Sequence, residues 1–256
     1  MQSPPSKGGD FALLGNMSYL KPHLILIPGL ICDEAVWQNQ RTNLREIATI
    51  TIADHGSLDS FDGMAALILK NAPERFALAG HSMGGRVAFE VVRRSPERVT
   101  HLALFDTAYG PRPTGIKGEE EASERYRLLE KARKEGMRAM GVDWVQRMVH
   151  PDRLSDTQLI NSILDMIERK TPEIFAAQIK ALLERPDATS LLQKLECPAL
   201  VLCGRQDAWS VLGVHEEMAS IIPHAHLKVV EDCGHMSTME RPAEVTAALR
   251  DWLTSL

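Results

Sequence analysis

The chain reads as an α/β fold: a mostly parallel sheet of about six or seven strands, flanked by helices and carrying an inserted helical cap. Three features predict this. Continuous apolar runs alternate with helical patterns through the first hundred residues and again near the C-terminus, the rhythm of strand, helix, strand crossovers. A glycine-flanked serine, Gly80-His81-Ser82-Met83-Gly84, sits between one apolar run and a helical pattern. From about Thr107 to Ser190 the alternation breaks, and only helical segments can be read.

Taken in order, His23 to Ile27 is the first strand, apolar throughout as suits a strand covered on both faces. Pro28-Gly29-Leu30-Ile31-Cys32-Asp33 follows, then a helix over Ala35 to Ile47, a strand over Ile50 to Ala53, and a helix through Met64, Leu67 and Ile68. Phe76 to Ala79 is the strand before Ser82, and Val87, Ala88, Val91 and Val92 give helical spacing after it. Leu102 to Phe105 is another strand, ending in Asp106. Helices are predicted near 119–135, 137–149, 156–169 and 172–184, punctuated by prolines at 151, 172 and 186. The sheet resumes at Ala199 to Cys203. A helix over Val214 to Ile221, a strand over Leu227 to Val230 and a helix from Pro242 to Leu253 complete it. The organisation is therefore a flexible tail over 1–18, a core over 19–106 and 191–256, and a helical cap over 107–190; Met17 is an alternative starting methionine.

At 256 residues, 44% hydrophobic and 25% charged, the chain suits one globular α/β unit with an insertion. A net charge of -5 argues against nucleic acid as a partner. Cys32, Cys197, Cys203 and Cys233 are spaced irregularly and read as free thiols of a reducing compartment. No apolar run approaches the roughly 18 residues of a membrane span, so a cytoplasmic protein is expected. No Asp/Glu/His grouping has metal-ligand spacing and no dinucleotide fingerprint follows a strand, so neither metal nor cofactor is expected. The oligomeric state is left open.

A serine between glycines at minus two and plus two fits a sharp strand-to-helix turn that lifts the hydroxyl clear of the sheet. Ser82 is thus the candidate nucleophile. The Met83 amide, first in the helix, points to where negative charge develops, and the Leu30 amide after the first strand is the candidate second oxyanion donor. A serine hydroxyl needs a base held by a carboxylate. His235, after a late strand and beside Gly234, is the candidate base. Asp207, in the loop after the preceding strand, is the candidate acid, with Asp106, Glu231 and Asp232 as alternatives. Strand carboxyl ends are where ligands gather in open parallel sheets. Candidate substrate contacts are Trp209, Trp144 and Ile31; Tyr126, Met137, Met140 and Met148 are further specificity positions, although the helical spacing of Trp144, Met137, Met140 and Met148 favours ordinary packing between cap and core. Glu119-Glu120-Glu121 and Arg125 read as solvated faces.

The order Gly80-His81-Ser82-Met83-Gly84, Asp207, His235 resembles the α/β-hydrolase superfamily from Lys21 onward. Pro28-Gly29-Leu30 is similar to its oxyanion loop, and Gly204-Arg205-Gln206-Asp207 and Cys233-Gly234-His235 to its acid and base loops. The resemblance implies the α/β-hydrolase fold and cofactor-free acyl transfer to water through an acyl-serine. The single cap resembles small bacterial esterases and lactonases, such as 3-oxoadipate enol-lactonase and the carboxylesterase of biotin synthesis. Two departures stand out: few residues precede the first strand, and Pro28 stands where many relatives have His. A small carboxylic ester or lactone is the expected substrate. A thioesterase, an amidase, a carbon-carbon bond hydrolase or a low-turnover receptor could use the same scaffold.

Overall fold

The computed structural model describes residues 21–255; the expected 1–18 tail and Met17 lie outside them. Six strands form one sheet: β1 (His23–Ile27), β2 (Thr49–Ile52), β3 (Phe76–His81), β4 (Val99–Phe105), β5 (Ala199–Gly204) and β6 (His226–Val230). All pairings are parallel, in the order β2-β1-β3-β4-β5-β6. Burial follows position in the sheet. The central strands β3 and β5 are buried at every residue, whereas the edge strands β2 and β6 alternate between buried or half-buried and exposed positions, because an edge strand keeps one face in contact with solvent.

The chain runs outward from β1 to β2, returns to β3, and then proceeds in one direction to β6. The reversal lies between β1 and β3, where loops after adjacent strands diverge and open a crevice at the carboxyl edge. The outer helices are α1 (Gln38–Leu44), α2 (Phe61–Asn71), α3 (Met83–Arg94), and later α9 (Leu212–Ile221), α10 (Ser237–Glu240) and α11 (Pro242–Thr254). α1 packs with α11 and α2 with α3; right-handed crossovers of opposite direction put these pairs on opposite faces.

Between β4 and β5 the chain carries α4 (Ile116–Glu135), α5 (Met137–Val145), α6 (Thr157–Glu168), α7 (Pro172–Leu183) and the short α8 (Thr189–Leu192). Two predicted helices are interrupted. Ala35 to Ile47 divides into a 3-10 turn, Glu34–Trp37, and α1, because the Asp33 carboxylate accepts from the Ala35 amide and tightens the first turn. The helix expected to reach residue 149 stops at Val145, and the freed Met148 carbonyl accepts from the Met236 amide 3.0 Å away. Among the described residues no helix is long and apolar enough to cross a membrane, and no group of three His, Cys, Asp or Glu is placed to hold a metal ion.

Candidate active site

Ser82 lies between β3 and α3 with φ 54° and ψ -117°. A non-glycine residue reaches that region only when its surroundings enforce it. The Ser82 amide donates to the Phe105 carbonyl at 2.8 Å, and the Thr107 hydroxyl donates to the Ser82 carbonyl at 2.7 Å. Gly80 and Gly84 allow strand and helix to touch: a methyl at Gly80 would strike the Gly84 backbone, and one at Gly84 the Ile27 carbonyl. The turn is thus locked from both sides.

The Ser82 hydroxyl oxygen lies 2.8 Å from Nε2 of His235, and Nδ1 of His235 lies 2.7 Å from Oδ2 of Asp207. With Nδ1–H donating to the carboxylate, Nε2 is left to accept the serine proton. Oδ1 of Asp207 accepts from the Trp209 and Ser210 amides, each at 2.8 Å. Burial pushes the Asp207 carboxyl up, but His235 and these two amides outweigh it and leave it below the usual carboxylate range. Burial likewise opposes protonation of His235, yet Asp207, with help from Asp106 and Glu240, leaves its pKa above 6.5.

The Met83 amide opens α3, and the Leu30 amide sits in the turn after β1; neither has a hydrogen-bond acceptor among the described residues. The next amide, that of Ile31, donates to the buried Gln178 side chain of α7 at 2.8 Å, with Ile31 itself at φ 53°. Ile31, expected to contact substrate, is fully buried and lines neither cavity beside Ser82; its side chain belongs to the core.

Asp106 follows β4 and approaches the ring of His81, whose Nε2 lies 3.5 Å from its Oδ2, not that of His235. Its Oδ1 accepts from the Gly204 amide at 3.1 Å, and its Oδ2 accepts from the Ser237 amide and hydroxyl. Burial and the nearby Asp207 charge raise its pKa well above the ordinary range. His81 is buried and neutral, drawn down to about 3 by burial and then by His235, and its Nε2–H donates to the His235 carbonyl at 2.8 Å.

Glu240 carries no signal in the linear pattern, which does not distinguish it from the exposed Glu244 or Asp251. Its side chain is buried, and three backbone amides donate to it: Gly234 at 2.9 Å, Met236 at 3.2 Å and His150 at 2.7 Å. It therefore holds both flanks of His235 and ties that loop to the segment following α5.

Two cavities meet at Ser82, and both are lined by Trp209. Trp144 and Met148 line the smaller one. Met137 and Met140 line neither and pack in the interior, while Tyr126 is 51% exposed and away from both. Arg125 is a correction to the solvated-face expectation. It is 6% exposed and lies over the Trp209 ring at 5.1 Å, and Glu121 is drawn in beside it. A helical pattern shows which residues share a face, not that a buried arginine has found a carboxylate.

Comparison with known proteins agrees with this architecture. Residues 24–249 match the model of the Alpha/beta hydrolase family. A thermophilic esterase from Thermogutta terrifontis, solved with malate bound, is 30% identical with a TM-score of 0.81, the match covering 92% of this chain and 90% of that one. The enol-lactonase of Burkholderia xenovorans is similar in fold, with 23% identity, a TM-score of 0.78 and 91% coverage of both chains. The pimeloyl-[acyl-carrier protein] methyl ester esterase of Nitrosomonas europaea is 24% identical over 87% of this chain and 92% of its own length.

Proposed function

Since the chain belongs to the alpha/beta hydrolase family, we propose that it hydrolyses a carboxylic ester or lactone through an acyl-serine formed at Ser82. The observation that supports this most directly is the unbroken chain of contacts from the Ser82 hydroxyl through the His235 ring to the Asp207 carboxylate.

In this reading His235 Nε2 takes the hydroxyl proton as the Ser82 oxygen attacks the carbonyl carbon, and Asp207 stabilises the imidazolium formed. The negative charge that builds on the carbonyl oxygen is met by the unpartnered Leu30 and Met83 amides, the second reinforced by the α3 dipole. Collapse of the tetrahedral intermediate expels the alcohol, which receives its proton from His235. Water, deprotonated by the same nitrogen, then releases the acid and restores the serine. Every group this cycle requires is a side chain or amide described above. We read the helical block 107–190 as a cap that supplies selectivity, with Trp144 and Trp209 lining the space beside the serine.

The test is Ser82→Ala. Hydrolysis of p-nitrophenyl butyrate should fall by at least about 10⁴-fold, with the thermal transition retained and labelling by a fluorophosphonate lost. Undiminished turnover in a folded Ser82→Ala protein would overturn the assignment.

A further inference from the structure

The two cavities beside Ser82 differ in chemistry. The larger, about 590 Å³, has Arg86, Arg125 and Arg185 in its wall. Arg86 lies in the first turn of α3, just after the Ser82 turn, and both residues line this cavity. One hydrogen bond engages the Arg86 guanidinium, from Nη1 to the Gly110 carbonyl at 2.8 Å, and among the described residues no carboxylate pairs with it.

Arg125 and Arg185 have side chains only 7% exposed, and both rely on Glu121. Arg125 donates Nε and Nη2 to Oε1 at 3.0 and 2.9 Å, and Arg185 donates Nη1 to Oε1 and Nη2 to Oε2, each at 2.7 Å. The Nε–H of Arg185 is buried with no acceptor among the described residues. Three guanidiniums therefore face a single carboxylate in the inner wall. Burial, then the neighbouring Arg185, draws the Arg86 guanidinium down to about 9, with Glu121 opposing. The other charged residues of this lining, Lys117, Glu120, Glu124 and Arg147, are more exposed, and Glu124 is taken by Arg127 at 3.0 and 2.9 Å. Buried positive charge of this kind is costly until an anion meets it.

The smaller cavity, about 40 Å³, is mostly apolar, with Leu128, Trp144, Met148 and Phe175 beside Leu30 and His235, and it meets the larger one at Arg125, which lines both. A departing alcohol must receive its proton from His235 Nε2, so the side that His235 lines takes the leaving group. Space there suits a short apolar alcohol, which directs the acyl part into the cationic cavity.

We infer that the substrate is an ester of a short apolar alcohol whose acyl chain carries a second, anionic group, a carboxylate in the simplest case, held by Arg86, Arg125 and Arg185. This rests on the serine-hydrolase reading above. The reaction then converts a monoester and water into a free dicarboxylate and the alcohol: the acyl–oxygen bond breaks, and water supplies the new hydroxyl and the alcohol's proton.

The experiment compares methanol release from monomethyl adipate and from methyl hexanoate, which have acyl chains of the same length. The wild-type protein should favour the anionic ester by about tenfold to a hundredfold in kcat/KM. Raising salt from about 0.05 to about 0.5 M should erode that preference, and Arg86→Gln should reduce it to less than about threefold. As a readout needing no variant, adipate should slow fluorophosphonate labelling of wild-type Ser82 where hexanediol does not. Equal or faster turnover of methyl hexanoate, or equal labelling with both additives, overturns the anionic subsite while leaving the hydrolase standing. Failure to cleave either ester, with no labelling of Ser82 at all, overturns the serine-hydrolase reading and this inference with it.

Discussion

Below the site, at the strand ends, position is set by backbone: Ile31 after β1, Ser82 after β3, Asp106 after β4 and Asp232 after β6 all sit at φ between 45° and 54°. Above it, in the helices between β4 and β5, position is set by long charged side chains, with Glu121 gathering Arg125 and Arg185 and with Arg147 lying over Trp209. Each strained residue costs on the order of 1–3 kcal/mol and persists only because packing over-determines it. The arginine–glutamate contacts cost rotamer freedom instead and can rearrange without breaking the fold. Under the proposed function, chemistry that tolerates little displacement sits on the rigid half, and recognition sits on the adjustable half.

The rigid half should break outright. Gly84→Ala drives a methyl into the Ile27 carbonyl, where neither backbone can yield, and should cost more than about 4 kcal/mol, most of the stability of a marginal domain. Soluble yield and the thermal transition report this. A Gly84→Ala protein with an unchanged transition would mean that strand and helix are not locked as described.

Next in size is the choice between two buried acids. Asp207→Asn keeps the shape but removes the charge facing Nδ1, so kcat/KM should fall by about 10³–10⁴-fold with little change in stability. Asp106→Asn disturbs the Gly204 and Ser237 contacts instead and should lower kcat/KM at least about tenfold less than Asp207→Asn. Equal losses would show that the acids act as one unit.

Glu240 joins the halves, and its substitution should have an intermediate effect. Glu240→Gln places an amide NH2 against backbone N–H donors on one side, costing about 1–3 kcal/mol of stability and lowering kcat by about tenfold through a misplaced His235. The pH profile separates displacement from simple destabilisation. The base must be neutral to accept the serine proton, so kcat/KM should fall as pH drops through the His235 pKa, with its midpoint above 6.5. Glu240 contributes to that elevation, so Glu240→Gln should move the midpoint down. A fixed midpoint with a lower transition would assign Glu240 to stability alone.

The two halves were also unequally legible. Strand ends were readable because apolar runs followed by Gly, Asp or His punctuate the sequence, and every predicted strand lies within three residues of its observed bounds. Ser82, His235 and Asp207 were singled out by loop position, and the fold brings these three side chains together. Glu240 and Gln178 escaped because their partners are backbone amides, which no residue pattern encodes. Arg125 was misread because a charged residue on an amphipathic helix looks alike whether it faces water or a cavity. Burying it requires Glu121 one turn away and Arg185 from beyond α7, far along the chain.

The smallest effect distinguishes recognition from scaffold on the adjustable side. Glu121→Gln removes the one carboxylate matched to Arg125 and Arg185, leaving the larger cavity more positive but its guanidiniums less firmly held. Glu121 and its arginines are largely buried, but the cavity they line opens to solvent that screens the added charge, so the change in substrate preference should be about twofold to fivefold, and its sign is informative. If the wall serves an anion, the ratio of kcat/KM for monomethyl adipate over methyl hexanoate rises, opposite to Arg86→Gln. If Glu121 acts only as a brace for α4 and α7, the thermal transition falls and the ratio stays put. Measuring both quantities on one preparation decides between them, since excess charge strengthens anion binding whether or not the helices loosen.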